Sequence, residues 1–332
     1  MNPDSELSKI LSDFRLKNVL IIGDVMVDEY LWGKVTRISP EAPVPIVSCR
    51  KREYRMGGAA NVALNIKGLE AEPVLCSVIG DDEEGRTFIR LMKENGMDIR
   101  GISKSSGRRT TVKTRVIGDH QHLLRVDHEN TDPLSESEES GLIRGINELI
   151  TSREFQAIVF QDYDKGVITN TIIQDITQLA GEVNIPVLVD PKKRNFHQYK
   201  GVNLFKPNFK EFTEGLNLQI SKSDHEGIYT AASEMLSSND IKDIMITLSE
   251  KGIFMCNGSG YSVIPAEERD VADVSGAGDT VIAVASLGYA CGLDLKEIAA
   301  LSNLAGGLVC EKAGVVPITH ELFQNYGGNL RM

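Results

Sequence analysis

From residue 136 onward, short apolar runs alternate with longer stretches whose apolar positions recur at helical spacing. The short runs predict buried strands at residues 157–160, 187–189, 204–206 and 244–247. The longer stretches predict helices at residues 136–150, 170–183, 224–236, 281–290 and 295–312. Strands that alternate with helices in this way predict a parallel sheet with right-handed crossovers. A hairpin of residues 253–256 and 261–264, joined by Asn257 and Gly258, follows the last of these strands.

The first half of the chain contains a segment that does not fit this alternation. Strands at residues 17–24 and 73–79 predict two more members of the main sheet, but Pro40, Pro43 and Pro45 between them are incompatible with a helix or a central strand. We expect short strands and an extended segment there, joined by strands at residues 99–103, 111–117 and 121–127. Two insertions, at about residues 29–55 and 98–127, would form a small β-sheet lid on a single domain spanning residues 1–332.

The amino-acid composition and charge argue against some classes of protein. The chain has 332 residues, of which 41% are hydrophobic and 25% charged, values typical of a globular α/β protein. A formal net charge of −11 argues against nucleic acid as a partner. No apolar run approaches the roughly 20 residues of a membrane span, and the first residues lack a signal-peptide pattern. Five scattered cysteines favour reduced thiols and a cytoplasmic location.

The strongest candidate for chemistry is the run Asp-Val-Ser-Gly-Ala-Gly-Asp-Thr at residues 273–280, which precedes a predicted helix. Because Gly276, Ala277 and Gly278 lack bulky side chains, their backbone N–H groups can turn toward one point, and a helix N-terminus adds positive charge there. An anion such as a phosphoryl group would bind in this cradle. Asp279 beside it is a candidate base for an attacking hydroxyl. The alternative is that Asp279 is a helix N-cap and the glycines are turn residues.

A second glycine-rich stretch, Gly-Gly-Ala-Ala-Asn at residues 57–61, precedes another predicted helix. The backbone can approach a ligand closely at Gly57 and Gly58, and Asn61 can donate and accept hydrogen bonds toward sugar hydroxyls. Asp24 and Asp28 follow the first strand, where open α/β sheets bind ligands; the alternative for both is an ordinary turn residue. The carboxyl ends of later strands repeat this pattern, with polar residues at Asp162, Lys165, Asp190, Lys192, Asn208, Glu211, Thr247 and Ser249. There is no P-loop and no Gly-x-Gly-x-x-Gly motif.

Together, residues 57–61 and 273–279 resemble the two signatures of the ribokinase-like carbohydrate kinases, and the resemblance covers nearly the whole chain. It implies a ribokinase-like α/β fold, with a mostly parallel central sheet flanked by helices and a small β-sheet lid. Within the family, further stretches are most similar to kinases of D-glycero-β-D-manno-heptose 7-phosphate in their stand-alone form, which lacks a nucleotidylyltransferase half. These stretches are residues 37–45, 121–127, 162–166 and 190–192.

The resemblance implies a role for each matching position. Asp279 would be the catalytic base, and Gly276, Ala277 and Gly278 would form the anion hole for the γ-phosphate. The nucleotide side would comprise Asn208, Phe209, Lys210, Glu211, Thr247, Ser249, Glu250, Gly252 and Asn303. The sugar side would comprise Asp24, Asp28, Gly57, Gly58 and Asn61. Mg²⁺ would accompany ATP, with Glu211 acting on it indirectly, and some relatives also bind a monovalent cation near Asp273.

The implied reaction is ATP-dependent phosphorylation of the heptose 7-phosphate at O1, for ADP-heptose and lipopolysaccharide core synthesis. Such a substrate carries about two negative charges near neutral pH, so Arg125, Lys165 and Lys192 are candidate partners; each is alternatively a solvated surface charge. The alternatives are a kinase of a ketoacid sugar, a fructose phosphate or ribose, and a catalytically silent sugar-binding homologue. Because exposed strand edges pair readily, we expect a homodimer joined through the lid.

Overall fold

The structure is a computed structural model that describes residues 3–119, 121–312 and 314–326. The helices in these ranges are α1 (Pro3–Phe14), α2 (Ala59–Gly68), α3 (Glu83–Glu94), α4 (Glu136–Ser152), α5 (Asn170–Glu182), α6 (Phe209–Gly215), α7 (His225–Asn239), α8 (Ala277–Ala290), α9 (Leu295–Cys310) and α10 (His320–Tyr326). The ends of the predicted domain, residues 1–2 and 327–332, lie outside the described residues.

The strands form two separate sheets. They are β1 (Asn18–Gly23), β2 (Val25–Ile38), β3 (Pro45–Gly58), β4 (Glu72–Gly80), β5 (Ile102–Ser105), β6 (Thr111–Gly118), β7 (Gln121–His128), β8 (Ala157–Gln161), β9 (Val187–Asp190), β10 (Leu204–Phe205), β11 (Asp243–Thr247), β12 (Ile253–Asn257) and β13 (Gly260–Ile264). The main sheet has the order β13-β12-β11-β10-β9-β8-β1-β4-β5, and the small sheet has the order β3-β2-β6-β7. This architecture confirms the predicted α/β fold class.

The main sheet is parallel from β11 to β5, and β12 and β13 join its other end antiparallel. Apolar cores cover both of its faces. In β1, Val19 and Ile21 pack into one core, whereas Leu20 and Ile22 pack into the other. A strand covered on both faces must be apolar at every position, which is why these strands appear as continuous apolar runs in the sequence.

The hairpin of β12 and β13 is confirmed, with a turn one position later than predicted. Asn257 pairs with Gly260 as the last pair of the ladder, so Gly258 and Ser259 form the connection. Asn257 is therefore a strand residue, and its side-chain Oδ1 accepts a hydrogen bond from the Ser259 backbone N–H. No helix within the described ranges combines the length and the apolar character that a bilayer crossing requires.

The small sheet differs from the prediction in two respects. The first insertion forms two strands of 14 residues each, β2 and β3, instead of short strands and an extended segment. The prolines do not prevent this because Pro45 begins β3, while Pro40 and Pro43 lie in the connection before it.

The second difference concerns the segment 98–127, for which the prediction was wrong at its first strand. Residues 102–105 form β5, which pairs in parallel with β4 at the edge of the main sheet. The remaining strands, β6 and β7, do lie in the small sheet, where β6 runs parallel to β2 and antiparallel to β7. A four-residue strand shows too little alternation to indicate which sheet it joins.

Candidate active site

Asp279 lies in the first turn of α8, beside the carboxyl ends of β8 and β9, and is only 4% exposed. Its Oδ1 atom accepts hydrogen bonds from the Tyr163 hydroxyl (2.7 Å) and from Gln161 Nε2 (3.1 Å). Its Oδ2 atom accepts a hydrogen bond from Asn61 Nδ2 (2.7 Å). Side chains from α2, from the end of β8 and from the loop after it therefore converge on this one carboxylate.

The environment of Asp279 keeps its proton affinity high for a carboxylate. Burial raises the pKa of Asp279 to about 6, and the charge of Asp190 acts in the same direction. The hydrogen bonds from Asn61 and Tyr163 and the charge of Lys206 partly oppose this shift, because they stabilise the ionised form. A carboxylate with a pKa near neutrality can both accept and release a proton, as a general base must.

The N-terminus of α8 next to this carboxylate is open. Gly276 is the N-cap residue with φ +85°, a left-handed conformation that a side chain at this position would strain, and no side chain caps the helix. Asp279 is the third helical residue and not the cap, so the N-cap part of the alternative is wrong, whereas Gly276 does lie in a turn as that alternative expected. With the helix dipole directed at it, this end of α8 is suited to bind an anion.

A buried ion pair lies beside Asp279. Lys206 is 2% exposed, and its Nζ atom is 3.0 Å from Asp190 Oδ2. Gln161 links this pair to the base, because its Nε2 atom is within hydrogen-bond distance of both Asp190 Oδ2 (3.3 Å) and Asp279 Oδ1 (3.1 Å). The shared amide separates two carboxylates that would otherwise face each other in a poorly hydrated site.

Two amide oxygens in this region lack a partner. Asn61 Oδ1 and Gln161 Oε1 are buried and accept no hydrogen bond from any residue in the described part of the chain. Leaving a buried acceptor unsatisfied costs about 1–3 kcal/mol. Because the amide nitrogens of both side chains are committed to Asp279, the two oxygens are acceptor positions for a ligand with hydroxyl groups.

The predicted Asn-x-x-Glu motif forms the start of α6. Asn208 and Glu211 make a reciprocal capping box, in which each side chain bonds the backbone N–H of the other. The other oxygen of Glu211 pairs with Lys192. Between the two, Phe209 packs against the core, while Lys210 is exposed and pairs with Glu214. The motif therefore has a clear structural function at this position.

The remaining residues of the predicted nucleotide side lie on neighbouring segments. Thr247 ends β11 and bridges to Asn208, so these two residues are adjacent. Ser249 and Glu250 lie in a 3₁₀ turn that ends at Gly252, and Glu250 is exposed beside Lys222. On α9, Asn303 donates a 2.9 Å hydrogen bond to the Pro265 carbonyl, next to β13.

On the predicted sugar side, Asp24 has a structural function. Its Oδ2 atom accepts the backbone N–H groups of Tyr163 (2.9 Å) and Lys165 (3.1 Å), and its Oδ1 atom accepts that of Val167 (2.9 Å). These bonds fix the loop that carries Tyr163. Burial raises the pKa of Asp24, although the three backbone N–H groups oppose the shift.

Asp28 was predicted to lie just after the end of the first strand, but it lies within β2 in the small sheet. It is buried and forms an ion pair with Arg115 on β6. Gly57 lies next to it: a Cβ atom at this position would overlap the Asp28 carboxylate, so a larger residue would force the Asp28 side chain to move. Gly57 and Gly58 are the last residues of β3, immediately before α2 and Asn61.

The three predicted cations have different surroundings. Lys192 pairs with Glu211, and although burial opposes its charge, the charges of Asp190 and Glu211 outweigh this effect and raise the pKa of Lys192. Lys165 Nζ is 2.8 Å from Glu129 Oε1. Arg125 is more than half exposed on the edge strand β7 and pairs with Asp127. Lys192 therefore lies with the Asn208–Glu211 motif, whereas Arg125 lies at the exposed edge of the small sheet.

Several site residues escaped the sequence analysis. Besides Gln161 and Tyr163, the half-buried Lys113 of β6 is one of them. Its ammonium group makes no hydrogen bond or ion pair with any described residue, and its Nζ atom lies 5.9 Å from the centre of the Tyr163 ring. Burial lowers the pKa of Lys113, and the charge of Asp28 opposes that shift. Gln161 and Tyr163 could have been predicted, because they flank Asp162 at the end of a predicted strand. No sequence pattern indicates that β6 brings Lys113 to the site.

Comparison with known proteins shows the family to which the chain belongs. The family model described as "pfkB family carbohydrate kinase" matches residues 16–321. "Bifunctional protein HldE" of Trichlorobacter lovleyi is 41% identical over 301 residues, which cover 90% of this chain and 60% of that protein. The HldE protein of Wolinella succinogenes is 38% identical over 317 residues, covering 96% and 66%. The chain therefore spans about three fifths of the length of such relatives.

Solved structures share the fold at lower identity. Phosphofructokinase-2 from Escherichia coli in complex with substrates and products matches with a TM-score of 0.78 and 18% identity, over 95% of this chain and all of that chain. Ribokinase of Arabidopsis thaliana complexed with ribose and ATP matches with a TM-score of 0.70 and 15% identity, over 93% and 99%. With the family model matching nearly the whole described chain, this protein belongs to the pfkB family of carbohydrate kinases.

Proposed function

We propose that this chain transfers the γ-phosphoryl group of ATP to O1 of D-glycero-β-D-manno-heptose 7-phosphate, giving heptose 1,7-bisphosphate and ADP. The observation that carries the proposal is the buried Asp279 carboxylate beside the open N-terminus of α8. A sugar kinase needs a base for the hydroxyl and an anion site for the phosphoryl group, and here both lie within one helical turn. The subfamily resemblance and the HldE relatives support the choice of sugar.

In the proposed reaction Asp279 acts above its pKa of about 6, where it is ionised. It accepts the proton of the O1 hydroxyl while O1 forms a bond to the γ-phosphorus and the bond from that phosphorus to the bridging oxygen of ADP breaks. The backbone N–H groups of Gly276, Ala277 and Gly278, with the α8 dipole behind them, stabilise the charge on the transferred group. Asn61 Oδ1 and Gln161 Oε1 accept hydrogen bonds from other sugar hydroxyls.

We assign the phosphate end of the sugar to Lys113, with Arg115 and Lys165 nearby. Lys113 supports this assignment because a half-buried ammonium without a described ionic partner is stabilised by a bound anion. Lys192 is instead assigned to the nucleotide side, because it pairs with Glu211 of the Asn-x-x-Glu motif. Arg125 remains a candidate at the rim of the small sheet, where its exposure favours a weaker contribution.

Mg²⁺ in this reaction would arrive with ATP and offset the charge of its phosphates. No cluster of three or more metal-ligating side chains exists among the described residues. Two carboxylates near the proposed nucleotide side, Glu211 and Asp190, form ion pairs with Lys192 and Lys206 respectively. Glu211 would therefore hold a magnesium ion indirectly, through water, and the ion would offset the charge of the ATP phosphates. A monovalent cation near Asp273 stays a proposal; both oxygens of Asp273 accept backbone N–H groups, from Ser275 and Gly314.

The small sheet is proposed to serve as a lid over the sugar and as the dimer interface. Leu123, Leu124 and Val126 on the edge strand β7 are 37%, 59% and 49% exposed, and an edge strand with such side chains favours pairing with a second copy. A lid would exclude water from Asp279 and limit ATP hydrolysis. Sedimentation of the wild-type chain and of Leu124→Lys tests the dimer, which should dissociate in the variant.

The test of the function is ATP-dependent turnover of heptose 7-phosphate, with ADP release as the assay and ³¹P NMR to identify the phosphorylated oxygen. A panel of fructose phosphates, ribose and ketoacid sugars is measured under the same conditions. The proposal requires the highest kcat/KM for heptose 7-phosphate and a new phosphate at C1. A higher value for another sugar would assign the chain to a different substrate, and no ADP release with any sugar would favour a silent sugar-binding protein.

A further inference from the structure

We propose that Tyr163 is a positioning residue that orients the Asp279 carboxylate, so that its one free acceptor position, on Oδ2, faces the reacting hydroxyl. This inference rests on the proposed function, in which Asp279 is the base. It adds the atom that takes the proton and the side chain that keeps that atom available.

The hydrogen bonds of Asp279 identify the free position. A carboxylate oxygen has two lone pairs in the plane of the group. Oδ1 receives the Tyr163 hydroxyl at 2.7 Å and Gln161 Nε2 at 3.1 Å, so both of its acceptor positions are occupied. Within the part of the chain that the structure describes, Oδ2 receives only Asn61 Nδ2, at 2.7 Å. The remaining acceptor position on Oδ2 is where a substrate hydroxyl can bind without displacing a protein donor.

Tyr163 is itself held from several sides. Its backbone N–H donates to the buried Asp24 carboxylate at 2.9 Å. The ammonium groups of Lys113, from β6 of the small sheet, and Lys192, from the loop after β9, lie 5.9 Å and 5.4 Å from the centre of its ring, within range of a cation–π interaction. Burial raises the pKa of Tyr163 well above its usual range, and the charge of Asp279 adds to this effect. The phenol therefore keeps its proton and remains a donor at all working pH values.

The hydrogen bond from Tyr163 also stabilises the ionised form of Asp279. Its loss should raise the pKa of Asp279 further and protonate the base at neutral pH. The charged groups that face the Asp279–Tyr163 pair are Asp190, Lys206, Lys192, Lys113 and Asp28, and all of them are unchanged in a Tyr163→Phe variant. A change in the pH profile of that variant therefore reports on the phenol hydroxyl.

The experiment compares Tyr163→Phe with Tyr289→Phe. Tyr289 is a matched control because its hydroxyl also donates to a carboxylate, that of Asp243, at the other end of α8. A hydrogen bond to a charged group contributes about 1.5–3 kcal/mol, so the acid limb of kcat/KM should move upward by about one to two pH units in Tyr163→Phe. We expect kcat at pH 7 to fall roughly two- to tenfold, with recovery at pH 9. The Tyr289→Phe profile should match the wild type.

A second readout does not depend on turnover. ¹³C NMR of protein labelled at the Asp carboxyl carbons, assigned with Asp279→Asn, gives the pKa of Asp279 in the free chain. We expect an upward shift in Tyr163→Phe and a downward shift when a more acidic fluorotyrosine replaces Tyr163, because a stronger donor favours the ionised carboxylate. The fluorotyrosine variant retains the ring and so serves as the test if Tyr163→Phe does not fold.

An unchanged acid limb and an unchanged Asp279 pKa in these variants would overturn the inference. The same shift in Tyr289→Phe would attribute the effect to general loosening of α8 and would also overturn it. If the wild-type chain turned over no sugar while the NMR shifts appeared as expected, the proposed function would fail, but the control of Asp279 by Tyr163 would stand.

Discussion

Asn61 Nδ2 donates a 2.7 Å hydrogen bond to Asp279 Oδ2, across a separation of 218 residues in the sequence. This bond joins the two glycine-rich stretches of the chain. Each stretch alone is a common turn-and-helix pattern, but together they bring a buried amide to a buried carboxylate beside a helix N-terminus. The contact explains why the pair of motifs indicates a kinase more strongly than either one does.

Replacing Asp279 by asparagine should abolish most of the activity. The amide cannot accept a proton from the sugar hydroxyl, so kcat should fall by at least about a hundredfold, the lower range for loss of a general base. The KM values for ATP and sugar should change little, because α8 and its open N-terminus remain. Steady-state kinetics on the purified variant, with circular dichroism to check folding, measures this. Near-normal turnover would remove Asp279 from the mechanism.

The same variant should change how stability depends on pH. The pKa of Asp279 is raised from 3.8 to about 6 in the folded chain, so the folded state binds more protons than the unfolded state between these values. The stabilising contribution of protonated Asp279 is therefore complete below about pH 3.8 and is lost as the pH rises through 6. Asparagine does not titrate, so Asp279→Asn should gain stability relative to the wild type over this range, by up to about 3 kcal/mol.

Urea unfolding of both proteins at pH 4 and pH 7.5 measures this difference. The comparison across pH isolates the titration, because hydrogen bonds that asparagine breaks contribute equally at both values. Asp162, whose pKa burial also raises to about 6, titrates in both proteins and cancels in the comparison. A stability difference that does not vary with pH would show that Asp279 titrates normally in the folded chain.

Lys113 and Lys192 should have opposite kinetic signatures when either is replaced by methionine. Lys113→Met removes the half-buried ammonium assigned to the sugar phosphate, so KM for the sugar phosphate should rise about tenfold, more than KM for ATP. Lys192→Met leaves Glu211 unpaired on the nucleotide side, so KM for ATP should rise more.

Two further measurements sharpen this test. Lys165→Ala should raise the sugar KM less than Lys113→Met does, because the Lys165 ammonium is already paired with Glu129. For a nonphosphorylated sugar, KM should be the same in Lys113→Met and in the wild type. Equal effects of Lys113→Met on both KM values would contradict the assignment of the phosphate end.

Much of this site follows from sequence patterns because its parts are local. The parallel sheet and the helix that follows residues 273–280 depend on short-range rules of periodicity, although α8 begins at Ala277 and the predicted helix began at residue 281. Strand ends were recognisable in the same way, which is why Asp190 and Thr247 were expected at the functional edge. These features require no knowledge of which segments meet in three dimensions.

The remaining parts depend on contacts that single-sequence rules do not contain. Lys113 reaches the site because β6 pairs with β2, and a lysine on an amphipathic strand has no local mark of that neighbour. Asp24 matched a sugar-binding position by its place after a strand, yet the backbone of residues 163–167 occupies both of its oxygens. Lys192 was a candidate for the sugar phosphate by its place after a strand, and its ion pair with Glu211 is a contact that the sequence does not indicate.

Gly276→Ala should lower kcat in addition to the stability that it loses through backbone strain. Gly276 has φ +85°, and a Cβ atom there would lie 2.9 Å from Asn61 Nδ2, the donor to Asp279. The matched control is Gly292→Ala, which places alanine in a similar left-handed conformation, φ +72°, with no described heavy atom within 4 Å of the new Cβ. Both variants should lose about 1 kcal/mol of unfolding free energy from strain.

Only Gly276→Ala should also lower kcat, by roughly tenfold or more, because displacement of Asn61 disturbs the carboxylate and the anion cradle together. Thermal denaturation and steady-state kinetics on both variants separate the two effects. If the two variants lost the same stability and Gly276→Ala kept full activity, the N-terminus of α8 would not be the anion site, and the phosphoryl group would have to bind elsewhere along the sheet edge.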